Sequence, residues 1–336
     1  MTRARESIDG ILVTGAGGML GRDVIRAGSR RGHRVSGLTR AELDVCDPDA
    51  VAAALDRVQP ALVVNCAAWT DVDGAETAEG RALAVNAGAA GVLARGATAV
   101  GARMVHVSTD YVFDGQADRP YVESDPVGPR SAYGRTKLAG EREVLGTDGG
   151  HAVVRSSWLF GSGGGNFAAT MLRLAGDGRD TVSVVTDQIG CPTFTGHLAD
   201  ALVELAERLA GDGAGGPGTG GRGVGGSGVG GPGAGGVHHI AGSGRCSWNE
   251  FAVEIFAQAG VDCTVLGATS AEMARPAARP AWSVLGSERP DAIVLPAWEK
   301  GLAGYLAEIG RAAKAAGTGP SSTRADAGST AARVAG

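Results

Sequence analysis

Between residues 10 and 161 short apolar runs alternate with stretches of helical spacing. "GILVTG" (10–15) leads into "AGGMLGRDVIRAGSRRG", and "HRVSGLTR" (33–40) into "DPDAVAAALDRV" (47–58), where Asp47 is placed as an N-cap and Pro48 as the first helical residue. "ALVVNCAA" (61–68) precedes one long helix over 80–101, "RMVHVST" precedes a helix over 132–145, and "HAVVRSSWLFG" (151–161) is a further strand. Strand and helix in strict alternation give a parallel sheet with helices on both faces. Continuous Val, Leu and Ile runs fit strands covered on both sides. The expected class is therefore α/β: a Rossmann-type doubly wound sheet, with a smaller C-terminal substrate-binding α/β domain.

The expected domains are residues 1–165 for a dinucleotide and 166–316 mainly for substrate, with segments near 197–210 and 237–242 returning to the first sheet. Helices are expected at "NFAATMLRLAG", "SWNEFAVEIFAQAG" and "PAWEKGLAGYLAEIG", and strands at "TVSVV" and "GVHHIAG". More than half of 211–236 is Gly, so this stretch reads as a disordered surface insertion, and 317–336 as a disordered tail. Lengthening such a loop is tolerated, because each doubling adds only about 0.6 kcal/mol.

Composition removes several functions. Net charge is −5 and no Lys/Arg run is present, which argues against nucleic acid and anionic membrane as partners. No stretch approaches the roughly 18 apolar residues of a membrane helix. Five separated cysteines without a C-x-x-C pair, and no signal segment, favour reduced thiols in the cytoplasm. No metal site can be assembled from six scattered histidines, since adjacent His238 and His239 point to opposite faces of a strand.

Chemistry concentrates at three strand ends. Gly15, Gly18 and Gly21 form G-x-x-G-x-x-G where the first strand turns into a helix, a place where backbone N–H groups hold a pyrophosphate. The second strand ends in Leu38-Thr39-Arg40, with no acid to receive a ribose 2′-hydroxyl. Arg40 would suit a 2′-phosphate, so NADPH is expected, with NADH possible; a merely solvated Arg40 is the alternative. Asp44 reads either as an acceptor for the adenine amino group or as a turn residue. "STDYVFDG" (108–115) then sets polar groups where an apolar strand runs out. Of four tyrosines, only Tyr133 has a Lys four residues on, placing Lys137 on the same helix face, where an ammonium would lower the phenol pKa. Tyr133 is the expected proton donor to a carbonyl oxygen, with Ser108 or Thr109 as a second donor to that oxygen.

This combination resembles the extended short-chain dehydrogenase/reductase superfamily. The ordered segments "VVNCAAWTDVDGAE", "VHVSTDYVFDG", "AYGRTKLAGE", "VRSSWLFGSGGGNFAATML", "TDQIGCPT", "HHIAGSGRCSWNEFA" and "RPAWS" narrow the resemblance to the dTDP-4-dehydrorhamnose reductase family over most of residues 10–310. The resemblance implies that Gly18, Met19 and Leu20 contact the cofactor phosphates, Asp44 and Val45 flank the adenine, and Ala67, Ala68 and Trp69 line the nicotinamide ribose. It implies Tyr133 as proton donor with Lys137 as its partner, and Thr109 and Asp110 touching the sugar, Thr109 also tuning the Tyr. Trp158 would pack on the sugar, with a core Trp as the plain alternative. Asp187, Gln188, Pro192 and Thr193 would help form the nucleotide-sugar pocket. The family commonly has Asn and Arg where Trp282 and Val284 stand here, which points to altered diphosphate or base contacts. Some relatives use magnesium, for which no ligands can be assigned.

Sugar-nucleotide dehydratases resemble "STDE" at this strand end; Tyr111 occupies the Glu position here, which argues against dehydration. The expected reaction is NAD(P)H-dependent reduction of a dTDP-4-keto-6-deoxy-L-hexose to dTDP-L-rhamnose, by a monomer or homodimer. The alternatives are a ketoreductase for another deoxysugar, such as dihydrostreptose, and a non-catalytic regulatory subunit or cofactor-sensing repressor of the same fold.

Overall fold

Six of the apolar runs become parallel neighbours in one sheet. The computed structural model describes residues 8, 10–212, 233–315 and 332–334. The chain runs β1 (Ile11–Thr14), α1 (Met19–Arg30), β2 (Val35–Leu38), α2 (Pro48–Val58), β3 (Leu62–Asn65), α3 (Val72–Thr77), α4 (Glu79–Leu83), α5 (Ala89–Ala99), β4 (Arg103–Thr109), α6 (Ala132–Leu145) and β5 (Ala152–Ser156). It continues through β6 (Leu159–Phe160), α7 (Phe167–Gly176), β7 (Thr181–Val185), β8 (Ile189–Gly190), β9 (Thr193–Phe194), α8 (Thr195–Asp212) and β10 (Gly236–His239). Last come β11 (Cys246–Ser247), α9 (Trp248–Ala259), β12 (Thr264–Ala268), α10 (Trp298–Ala315) and β13 (Ala332–Val334).

The large sheet has the order β10-β5-β4-β3-β1-β2. Alternate strand residues feed two cores. Ile11, Val13, Val64, Val105 and Val154 pack with Leu20 and Val24 of α1 and with Leu198, Leu202 and Leu205 of α8. Leu12, Val63, Met104 and Val153 pack with Leu55 of α2 and Leu93 of α5 on the other face. Each such Leu, fully buried, contributes about 1.5–3 kcal/mol. A third core joins Met171, Val182, Val184, Phe251, Ile255 and Leu302 around the smaller sheet β12-β7-β13.

Three expectations need correction. The long helix over 80–101 is interrupted by a π-helical turn at Ala84–Gly88. Asn86 in that turn bonds Trp69 on both its N–H and C=O and also Thr136, and the absent side chain of Gly140 lets α6 settle onto its carbonyl. The strand over 151–161 breaks at Trp158, whose φ of 49° turns the chain out of the large sheet and into the β6–β9 pair. The Gly-rich insertion and the tail lie largely outside the described residues. At their ends the expectation of disorder is too broad: α8 reaches Asp212, β10 starts at Gly236, and Ala332–Val334 pair along the open edge of β7, where its backbone hydrogen bonds would otherwise lack partners. Helix α3 and strand β12 carry weak periodicity and were not expected.

Candidate active site

The site begins where β1 and β3 part company, at the switch point of the sheet. Gly15 sits at φ 67°, and a Cβ there would lie 2.7 Å from Ala67 N and Cys66 C. A Cβ on Gly21 would collide with the Gly15 carbonyl. Both positions therefore require Gly. Gly18 is the N-cap of α1 and provides no side-chain cap, so the N–H groups of the first turn face outward without an internal acceptor. A cavity of about 560 Å³ opens there, and Gly15, Gly18, Arg40, Asp44, Val45, Ala67, Ala68 and Trp69 all line it. Met19 leans on Gly164, and the Leu20 side chain is buried in the core, which leaves only its backbone to face a phosphate. Asp44 also accepts from Cys46 N at 3.0 Å and so closes its own turn. A glycine cradle, an uncapped helix start and Arg40 on the rim fit a dinucleotide. Sequence reasoning missed Arg81, which lines the same cavity with its guanidinium 5.5 Å from the Trp69 ring centre.

Beside the cradle, β4 ends at Thr109, and α6 opens at its Ser131 cap with Tyr133 in the first turn. Thr109 Oγ1 donates to Asp110 Oδ1 at 2.9 Å and accepts from Tyr111 N at 3.2 Å, and it lies beside the Tyr133 hydroxyl. The Tyr111 ring meets Tyr133 edge-on, with centres 5.5 Å apart. Burial pushes the Tyr133 pKa up to about 12, the Asp110 charge adds to this, and only the Thr109 hydroxyl opposes it. Burial likewise raises Asp110 to about 6, while the nearby Ser283 hydroxyl and the Thr109 hydrogen bond oppose it. The second Asp110 oxygen, Oδ2, is enclosed without a close partner.

Two expectations change here. Ser108 does not face the site: its hydroxyl donates to Glu141 at 2.6 Å, within a buried Glu141–Arg155 ion pair. This leaves Thr109 as the available hydroxyl. The Lys137 ammonium does not lie against the phenol and does not lower its pKa. It donates to Val107 O at 2.6 Å and approaches His106 Nε2 at 3.5 Å. The reason is depth: Lys137 is only 2% exposed, and the nearest acceptor for its end is the β4 backbone.

The residues expected to face the sugar are packed against other side chains. Trp158 stacks flat on Trp248, with ring centres 3.6 Å apart, and Gly190 has no side chain because the Trp158 ring fills that space. A left-handed Trp is a backbone outlier that costs on the order of 1–3 kcal/mol, and such strain gathers at ligand sites. Asp187 accepts from Ser270 N and Oγ, and Gln188 donates to Ser270 Oγ at 2.8 Å, so one serine fixes both. Thr193 stands apart: it is fully buried and spends its hydroxyl on Cys191 O and Gly242 N. Pro192 lies beside it, with its carbonyl close against Gly242. Arg279 grips Asp73 of α3 in a two-pronged bond of 2.9 and 3.0 Å, tying the late chain down next to Tyr111. Trp282 donates to Arg119 O, with Arg245 5.2 Å from its ring centre, while Val284 is buried.

The family model described as the RmlD substrate binding domain matches residues 9–311. The chain belongs to this family. Among RmlD-family relatives, the dTDP-4-dehydrorhamnose reductase of Streptomyces griseus is 46% identical over 282 residues, covering 83% of this chain and 86% of that protein. The dTDP-4-keto-6-deoxy-D-glucose reductase of Streptomyces niveus is 41% identical over 280 residues, covering 82% of this chain and 88% of that protein. A solved dTDP-4-dehydrorhamnose reductase of Bacillus anthracis in complex with NADP is 31% identical, with a TM-score of 0.80, over 90% of this chain and 99% of that one. Among the described residues of this RmlD-family chain, no cluster of acidic, His and Cys side chains could hold a metal, and no helix is long and apolar enough to cross a membrane.

Proposed function

We propose that this chain reduces the 4-keto group of dTDP-4-dehydrorhamnose to give dTDP-L-rhamnose, with NADPH or NADH as reductant. The observation that carries this reading is the Tyr133–Thr109–Asp110 set beside the glycine cradle. Bound in the cradle, the nicotinamide cofactor supplies the hydride. Tyr133 keeps its proton at neutral pH, because burial and the Asp110 charge both oppose the phenolate. It is therefore armed as an acid and delivers that proton to the 4-oxygen as the carbon is reduced. Thr109 stands beside the phenol hydroxyl, while Asp110 and the stacked Trp158 bound the sugar. Tyr111 fills the place where a dehydratase would carry a base, and its ring serves instead as a wall for Tyr133. A proton donor set beside the cofactor cradle serves an enzyme, whereas a regulatory subunit has no need of one.

A second reading, reduction of a different dTDP-deoxysugar, is favoured by Trp282 and Val284. Val284 is buried and Trp282 is committed to Arg119, so neither offers the polar contacts of an Asn or Arg at these positions. The relative from Streptomyces niveus is named for another 4-keto sugar. The test is loss of nicotinamide absorbance with each cofactor and with dTDP-4-dehydrorhamnose generated in situ. Tyr133→Phe is expected to slow turnover by about 10²–10⁴-fold while leaving cofactor binding intact. Turnover with only the other sugar would favour the second reading, and binding without turnover of either would overturn both.

A further inference from the structure

Thr14, Asn65 and His106 are direct cross-strand neighbours on β1, β3 and β4, one step beyond the apolar row of Leu12, Val63 and Met104. All three are at most 2% exposed. The row is joined by side-chain bonds: Thr14 Oγ1 donates to Asn65 Oδ1 at 2.7 Å, and Asn65 Nδ2 faces His106 Nδ1 at 3.0 Å. Its far end, His106 Nε2, faces Lys137 Nζ at 3.5 Å.

The direction of this chain is fixed at a backbone group. Ala67 N donates to Asn65 Oδ1 at 3.1 Å, and an amide N–H cannot accept. The Asn65 oxygen therefore points to Ala67, and its NH₂ points to His106. His106 Nδ1 must be the acceptor, so the proton of the neutral ring sits on Nε2. We infer that His106 is a positioning residue for Lys137: its Nε2–H is aimed at Nζ, holding the amine against Val107 O and opposing the ammonium, which has no lone pair to receive it. The other titratable groups facing Nζ are Cys66 at the end of β3 and Glu141 one turn along α6. Burial keeps Cys66 a neutral thiol, and Glu141 is engaged by Arg155 and Ser108. His106 itself is held well below the ordinary imidazole range by burial and by Lys137. Lys137 is lowered to about 8, by burial first, against the pull of Glu141.

The inference rests on Tyr133 and Lys137 being the site of chemistry, but its test needs neither cofactor nor substrate, so the two readings fail separately. Long-range ¹H–¹⁵N spectra of the full-length protein should show His106 protonated on Nε2 through neutral pH. The chain has three lysines, Lys137, Lys300 and Lys314, so Cε-labelled lysine gives a spectrum that can be titrated residue by residue. Lys137 should titrate below the other two. In His106→Leu its midpoint should rise by about one pH unit, a tenfold gain in proton affinity, whereas His106→Gln, which restores an N–H donor, should hold it near the starting value. A proton on Nδ1, or an unmoved Lys137 midpoint in folded His106→Leu, overturns the inference. If His106→Leu does not fold, the wild-type tautomer decides alone.

Discussion

The cofactor cradle and the sugar side lie at the same edge of the large sheet but are built of different material. The cradle is backbone: Gly15, Gly18 and Gly21 act through the side chains they lack and through the open N–H groups of α1. The sugar side is side chain on side chain: Trp158 on Trp248, Asp187 and Gln188 on Ser270, and Arg279 on Asp73. A backbone site tolerates almost any neighbour and fails only when a Cβ is added. A site of stacked and paired side chains can be retuned by single exchanges, and we propose Trp282 and Val284 as two such positions. We propose that the cradle sets the class of reaction and that the side chains around Trp158 set which member of a substrate class is accepted.

Lys137 lies on the boundary between the two regions and gives the largest expected effect on the fold. The folded protein binds its proton less tightly than the unfolded chain does, because burial lowers it from the ordinary lysine value to about 8. The resulting penalty is full below about pH 8 and fades as pH rises towards the ordinary lysine range. Lys137→Met should therefore raise stability at neutral pH by up to about 3 kcal/mol, less whatever the lost bond to Val107 contributed, while turnover collapses. Denaturant melts at neutral and alkaline pH check this, and the gain must shrink at the higher pH. Next is Gly21→Ala. Forcing a methyl against the Gly15 carbonyl costs about 1–3 kcal/mol, so cofactor affinity should fall roughly 10- to 100-fold by titration calorimetry. Unchanged affinity would mean that the cradle is not held by close backbone approach. The smallest effect is expected at Trp248→Ala. Losing the stack should cost about 1 kcal/mol, seen as a several-fold rise in KM for the nucleotide sugar with cofactor KM unmoved. A shift in cofactor KM would erase the distinction between the two regions.

The same division explains what could be read from the residues. Alternating runs placed β1 to β5, and glycine spacing with Arg40 and Trp69 marked residues that now line one cavity. Tyr133 and Thr109 were legible because a strand end and an i, i+4 pair are local signals. The direction of the Tyr133 pKa was not legible, because it depends on burial and on Asp110 rather than on the neighbouring lysine of the motif. Neither was the destination of Lys137, since Val107 O and His106 meet it only through sheet register. Thr14, Asn65 and His106 carry a faint signal: each falls two residues after a buried apolar residue on the same face, where a run of core positions turns polar. The break at Trp158 had none, as nothing in "RSSWLFG" announces a left-handed tryptophan.

Strand β10 enters the large sheet at Gly236, opposite Ala152 at the start of β5, and all its neighbours run the same way. Helix α8 ends, and β10 begins, on the side of the sheet where its strands begin, Arg103 at the start of β4 donating to Leu209 O, while every group assigned to the reaction sits where the strands end. Sheet polarity thereby separates chemistry from chain length. A change confined to the end of α8 or the start of β10 is therefore separated from the chemistry by the length of the strands.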